Sequence, residues 1–134
     1  MNGYFAIAVA SLLALFVAGA PAHAGADADL VAAYYDALNA KDIDKAMSFI
    51  APDAVFINPN GTFSGAAEIK QSLEEGFAVE LTFNLGNFRE DAGRVVYDYE
   101  VLVAGEIVET GTDGLTIVKD GKIVFDGTER SEVK

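Results

Sequence analysis

The chain of 134 residues has no cysteine and no tryptophan, and its one histidine, His23, falls within the first 24 residues. Without cysteine there is no disulfide, no thiol nucleophile and no site for a lipid-anchored lipoprotein. From residue 25 onward there is no histidine, which excludes a Ser-His-Asp triad and leaves zinc without its usual ligands. Any chemistry must use carboxylates, tyrosines, lysines or arginines. A hard-cation site built of carboxylates stays open, but no calcium-loop spacing of aspartates is present, and the expectation is no metal and no cofactor. Positive charge is also scarce. Nine Lys and Arg face 21 Asp and Glu, giving a net charge of −12. Such a surface repels nucleic acid and anionic headgroups. The few cations are scattered, so no basic patch offsets it.

The first 24 residues carry no charged side chain, so the whole net charge belongs to residues 25–134. Tyr4 to Ala18 is apolar except for Ser11, and Ala22-His23-Ala24 has the small-x-small form of a cleavage site. This pattern predicts a signal peptide over residues 1–24 and a periplasmic or secreted domain over 25–134. The apolar run falls short of the roughly 18 to 20 residues of a spanning helix. The alternative is an uncleaved anchor.

The remainder is one domain, long enough for one core. Asp27 or Asp29 can cap a helix running to about Asn39, with Leu30, Tyr34, Ala37 and Leu38 on one face. Asp42 can cap a second helix, ended by Pro52. A short strand from Ala54 to Ile57 leads into the turn Asn58-Pro59-Asn60-Gly61. Gly65, with Glu68 three residues on, starts a third helix, and Gly76 suits its end. Beyond Val79 the period changes. Val95, Tyr97, Tyr99, Val101 and Val103 alternate with Asp98 and Glu100 between them. Ala92-Gly93, Ala104-Gly105 and Asp120-Gly121 mark hairpins, and the last strand is expected over about Lys122 to Glu132. Three helices followed by a strongly curved antiparallel sheet make an α+β cone with a blind, mostly apolar cavity.

This order of elements, with the stretch Ala51-Pro52-Asp53-Ala54-Val55-Phe56-Ile57-Asn58-Pro59, resembles the nuclear-transport-factor-like and SnoaL-like superfamily, including ketosteroid isomerases. Isomerases of that kind use an aspartate base and two oxyanion donors, a tyrosine and a protonated aspartic acid. Counting back from Pro59, Tyr34 matches the tyrosine. Counting back from Gly121, Asp113 matches the acid. The base position is Asn58, an amide that cannot take a proton. The resemblance therefore implies an oxyanion-binding pair without its base.

It also implies a small apolar ligand with a phenol or carbonyl group, held by Tyr34, Asp53, Phe56, Asn58, Asp98 and Asp113. Asp98 and Glu100 read as a solvated strand face, and on a concave face either supplies a base instead. Two functions stay open. One is an exported domain that only binds a lipophilic ligand. The other is an isomerase-, cyclase- or dehydratase-like enzyme of proton transfer driven by a pocket carboxylate. Members of the superfamily commonly pair through the sheet, so a homodimer is expected, and the Tyr97 and Tyr99 stripe is either its patch or core.

Overall fold

The computed structural model describes residues 25–132. The leader expected over residues 1–24 lies outside them. Three helices, α1 (Ala26–Asn39), α2 (Ile43–Ser48) and α3 (Ala66–Ala78), accompany six strands. The strands are β1 (Ile50–Asn58), β2 (Gly61–Ser64), β3 (Leu81–Asp91), β4 (Arg94–Val103), β5 (Glu106–Lys119) and β6 (Lys122–Thr128). They form one open sheet in the order β2-β1-β6-β5-β4-β3. Every neighbouring pair is antiparallel except β1 with β6, which runs parallel. The fold is thus α+β as expected, with a mixed sheet. The parallel pair joins strands far apart in the chain, and local periodicity carries no sign of it.

The helices pack on one face of the sheet, α1 over β3 and β4, and α3 over β1 and β2. Val31, Tyr34 and Leu38 from α1 meet Ile69 from α3 and Val95 and Ile123 from the sheet, all almost wholly buried. The three hairpins form where they were expected. Ala92-Gly93, Ala104-Gly105 and Asp120-Gly121 all have positive φ at both residues, the turn geometry that matches the twist of paired strands.

Four boundaries differ from the sequence reading. Helix α1 begins after Gly25 and receives no side-chain cap from Asp27 or Asp29, which lie inside its first turn. Instead Glu90 of β3 accepts a hydrogen bond from the Ala28 amide at 2.9 Å. Pro52 lies inside β1, not at a helix end. Between Ile50 and Val55 the pairing of β1 with β6 shifts register, and a residue lacking an N–H fits such a break. Gly76 sits within α3, where Leu81 packs so close that a Cβ would meet its Cδ2 at 3.0 Å. Strand β6 stops at Thr128 because Ser131 turns back on it. The Thr128 amide donates to Ser131 Oγ at 2.8 Å, and the Ser131 amide donates to Thr128 Oγ1 at 3.1 Å.

Register shifts recur at Gly86/Arg89, Tyr97/Tyr99 and Ile117/Val118. Each extra residue bends its strand and strengthens the twist. The bent sheet and α1 together enclose a cavity.

Candidate functional site

The cavity has a volume of about 810 Å³ and mostly apolar walls. Helix α1 contributes Tyr35 and Leu38, β3 contributes Leu81, Phe83 and Leu85, and β4 contributes Tyr97, Tyr99 and Val101. Its exposed rim includes the Asn58-Pro59-Asn60 turn, Val108 and Arg130. Alternation along β4 explains the aromatic wall. Val95, Tyr97 and Tyr99 are buried on the helix side of the sheet. The Tyr97 and Tyr99 stripe is therefore core and cavity wall, not an exposed pairing patch.

Asp126 of β6 projects into this cavity among hydroxyl groups. Tyr35 donates to its Oδ2 at 2.8 Å. Thr116 of β5 donates to its Oδ1 at 2.5 Å, and Tyr97 donates to the same oxygen at 3.2 Å. The Tyr97 and Thr116 hydroxyls are 2.7 Å apart, and those of Tyr35 and Tyr97 are 3.4 Å apart. Cross-strand register builds the cluster, because Thr116 pairs with Asp126 and lies opposite Val95, two residues along β4 from Tyr97 and on the same face.

Burial raises the Asp126 carboxyl from its ordinary 3.8 to about 6, against the three hydrogen bonds, which favour the charged form. At neutral pH the group is an ionised base on the edge of protonation. Burial, followed by the field of Asp126, pushes the Tyr35 and Tyr97 phenols well above their ordinary value, so both remain donors. Nearer the rim, Tyr99 donates to Glu109 at 3.1 Å.

The residues singled out from sequence fall in different places. Asn58 lines the rim, with its Oδ1 accepting the Asn60 amide at 2.8 Å in a side-chain-closed turn. Tyr34 is fully buried in the core behind the cavity wall, and its hydroxyl has no hydrogen-bond partner. Its ring packs edge-on against Tyr35, Phe49 and Phe56, and Phe56 belongs to that core. Asp53 is exposed on β1. Asp98 and Glu100 project opposite to Tyr97 and Tyr99. Asp98 pairs with Arg89 at 3.2 Å, and Glu100 accepts from Asn84 at 3.1 Å.

Asp113 binds Arg130 Nε at 2.6 Å. It follows the extra residue that β5 carries between its pairings with Tyr99 and Tyr97. Tyr34 and Asp113 are thus not brought together.

Sequence pattern does not single out Asp126, Tyr35 or Thr116, and it marks Tyr97 only as part of a stripe. The one local signal is a carboxylate directly after the apolar run Ile123-Val124-Phe125. Among the described residues, no group of three or more His, Cys, Asp or Glu could hold a metal ion, and no helix is long and apolar enough to cross a membrane.

A bent sheet flanked by helices, with a half-buried acid at the inner wall of an apolar cavity, defines a pocket-bearing domain of the cone-shaped α+β class. The model of the SnoaL-like domain matches residues 31–125, and the chain belongs to that family. Solved structures agree on the fold. An NTF2-like protein of unknown function from Cytophaga hutchinsonii superposes with TM-score 0.66 at 20% identity, over 75% of this chain and 86% of that one. A candidate polyketide cyclase from Sinorhizobium meliloti gives 0.65 at 25% identity, over 73% and 91%. The epoxide hydrolase/cyclase-like enzyme SalBIII, with a role in pyran ring formation in polyether salinomycin, gives 0.64 at 18% identity, over 75% and 86%. No curated protein matches the sequence.

Proposed function

We propose that this domain binds a small lipophilic carbonyl or phenolic compound in the cavity and that Asp126 moves a proton on it, as an enzyme of the cyclase or isomerase kind. The observation that carries the reading is Asp126 itself, a carboxylate held by three hydroxyls at the wall of an apolar cavity. A base with its pKa near 6 combines ionisation at neutral pH with useful proton affinity.

In the proposed step, Asp126 takes a proton from the carbon beside the ligand's carbonyl, and the electron pair moves onto the carbonyl oxygen. The neutral acid no longer needs all three donors. A hydroxyl of the cluster is then free to turn toward the new oxyanion. Return of the proton to another carbon of the enolate completes an isomerisation; in a ligand with a second carbonyl, the enolate carbon instead attacks that carbonyl carbon, and Asp126 returns the proton to its oxygen, which closes a ring. This replaces the pair Tyr34 and Asp113 with groups that line the cavity, and it supplies the base that Asn58 cannot.

Export through the leader, and pairing of two copies through the sheet, belong to the same proposal. Mass spectrometry of the periplasmic fraction and light scattering check them.

The test uses 2-tetralone as probe. Deuterium exchange at its α-carbon in D₂O, followed by proton NMR, is expected to be accelerated by the protein. Asp126→Asn is expected to lower that acceleration by about 10²–10⁴-fold. Exchange no faster than in buffer, or unchanged in Asp126→Asn, overturns the catalytic reading. Binding of 2-tetralone without exchange leaves a carrier.

A further inference from the structure

Glu90 reaches from β3 to the start of α1, and the bond after Ala24 lies directly before that start. The Glu90 Oε1 atom accepts from the Ala28 amide at 2.9 Å. Gly25 supplies the carbonyl of the first helical hydrogen bond, from Asp29 at 3.0 Å. A Cβ on Gly25 would stand 3.0 Å from both carboxylate oxygens of Glu90, so the absent side chain lets the carboxylate come close. A residue's backbone nitrogen lies about 2.5 Å from its own Cβ position, which places the Gly25 nitrogen within about 5.5 Å of either oxygen.

We infer that the α-ammonium of Gly25, created by cleavage after Ala24, is a structural group that pairs with Glu90 and ties the start of α1 to β3. This lies beyond the cavity's function and rests on the leader reading. In the uncleaved chain the same nitrogen is a neutral amide, so the pair exists only after processing. A bare ammonium at a helix N-terminus opposes the helix dipole. Glu90 reverses that balance, because it accepts from the first turn and faces the new charge with the same carboxylate. Asp27 and Asp29, in the same turn, add negative charge around it. Cleavage would thus strengthen the contact between the helix and strand that build the cavity wall.

The experiment compares two forms of the chain. One starts at Gly25 with a free amine, and the other keeps Ala22-His23-Ala24 ahead of it. All core residues lie beyond position 25, so both contain the whole described fold. At low salt the free-amine form is expected to melt about 2–5 °C higher, the range given by a surface ion pair in a domain of this size. The difference is expected to vanish in about 1 M NaCl and in Glu90→Gln. Equal melting temperatures, or a difference that survives Glu90→Gln, overturn the inference. Mass spectrometry of exported protein reports separately whether the chain begins at Gly25. A different start refutes the leader reading and leaves the melting comparison intact.

Discussion

Tyr35 of α1 donates its phenolic hydrogen to Asp126 of β6 across 2.8 Å, joining residues 91 positions apart. This bond ties the first helix to the last strand at the wall of the cavity. It also favours the charged form of Asp126 against the burial that raises its pKa to about 6. Removing it has a directional consequence. In Tyr35→Phe the carboxyl is expected to titrate about one unit higher. The acid limb of 2-tetralone exchange against pH should move up by the same amount, and ¹³C NMR of the Asp126 carboxyl checks the shift directly. An unchanged titration would show that the hydrogen bond does not reach the base.

Tyr34 and Tyr35 are neighbours with opposite prospects. Their rings pack edge-on at 5.0 Å, yet only the hydroxyl of Tyr35 has partners, and that of Tyr34 is buried with none. A buried unpaired hydroxyl carries a desolvation penalty without return. Tyr34→Phe is therefore expected to leave stability unchanged or raise it by up to about 1 kcal/mol, whereas Tyr35→Phe lowers it by about 1–2 kcal/mol. Urea denaturation of the two variants checks the contrast. Tyr34→Phe should also leave 2-tetralone exchange within about twofold of wild type, since a tenfold rate corresponds to about 1.4 kcal/mol and no such contact is lost.

The two tyrosines show where the sequence stops being legible. Helical spacing placed Tyr34 on the buried face, and it is there. Which of two adjacent rings meets the cavity depends on how α1 rotates over β3 and β4, a tertiary property with no local mark. The hairpins were readable because Ala92-Gly93, Ala104-Gly105 and Asp120-Gly121 carry their own backbone requirement. Strand β5 was not. Gly111-Thr112-Asp113-Gly114 has turn composition, but it runs straight through as strand because the rings of Tyr99 and Tyr97 lie over Gly111 and Gly114 on the paired strand. Asp113 pairs with Arg130 from beyond β6, a contact with no local mark. Asp126 has no such mark either, because its donors come from three other elements, α1, β4 and β5.

The glycine beneath Tyr97 gives a direct test of how the cluster is held. A Cβ at Gly114 would enter the Tyr97 ring, touching its Cε2 and Cδ2 atoms. Gly114→Ala is expected to cost about 1–3 kcal/mol by overpacking and to displace the Tyr97 hydroxyl from Thr116 and Asp126. Loss of 2-tetralone exchange should then exceed that of Tyr97→Phe, which removes the hydroxyl and keeps the ring in place. Thermal denaturation and exchange rates on both variants separate packing from hydrogen bonding.

Asn39 caps an edge of the sheet. Its side-chain amide donates to the Phe83 carbonyl and accepts from the Phe83 amide, both at 2.8 Å, in the manner of a paired strand. Strand β3 is the last in the sheet order, where unpaired backbone groups invite association. Asn39→Ala is expected to cost about 1 kcal/mol and to speed hydrogen exchange at Phe83. No change at that amide would mean that the edge is covered in another way.

Asp126 should also leave its mark on stability against pH, with a sign opposite to that of an ion-paired acid. Its carboxyl titrates near 3.8 when unfolded and at about 6 when folded. Between those values the folded state holds a proton that the unfolded state has released, so this group's contribution falls as pH rises. It is most favourable below about pH 4, declines through the interval up to about 6 and is flat above it. Two units correspond to about 3 kcal/mol. Asp126→Asn keeps a polar group among the hydroxyls and removes the titration. Other carboxylates titrate in the same range, so the informative quantity is the difference between wild type and variant. Urea unfolding at several pH values from about 4 to 7 should show the variant gaining on wild type by about 2–3 kcal/mol across the series. A constant difference would mean that Asp126 is not held above the ordinary carboxylate range, and the case for it as a base poised near neutral pH would fall with it.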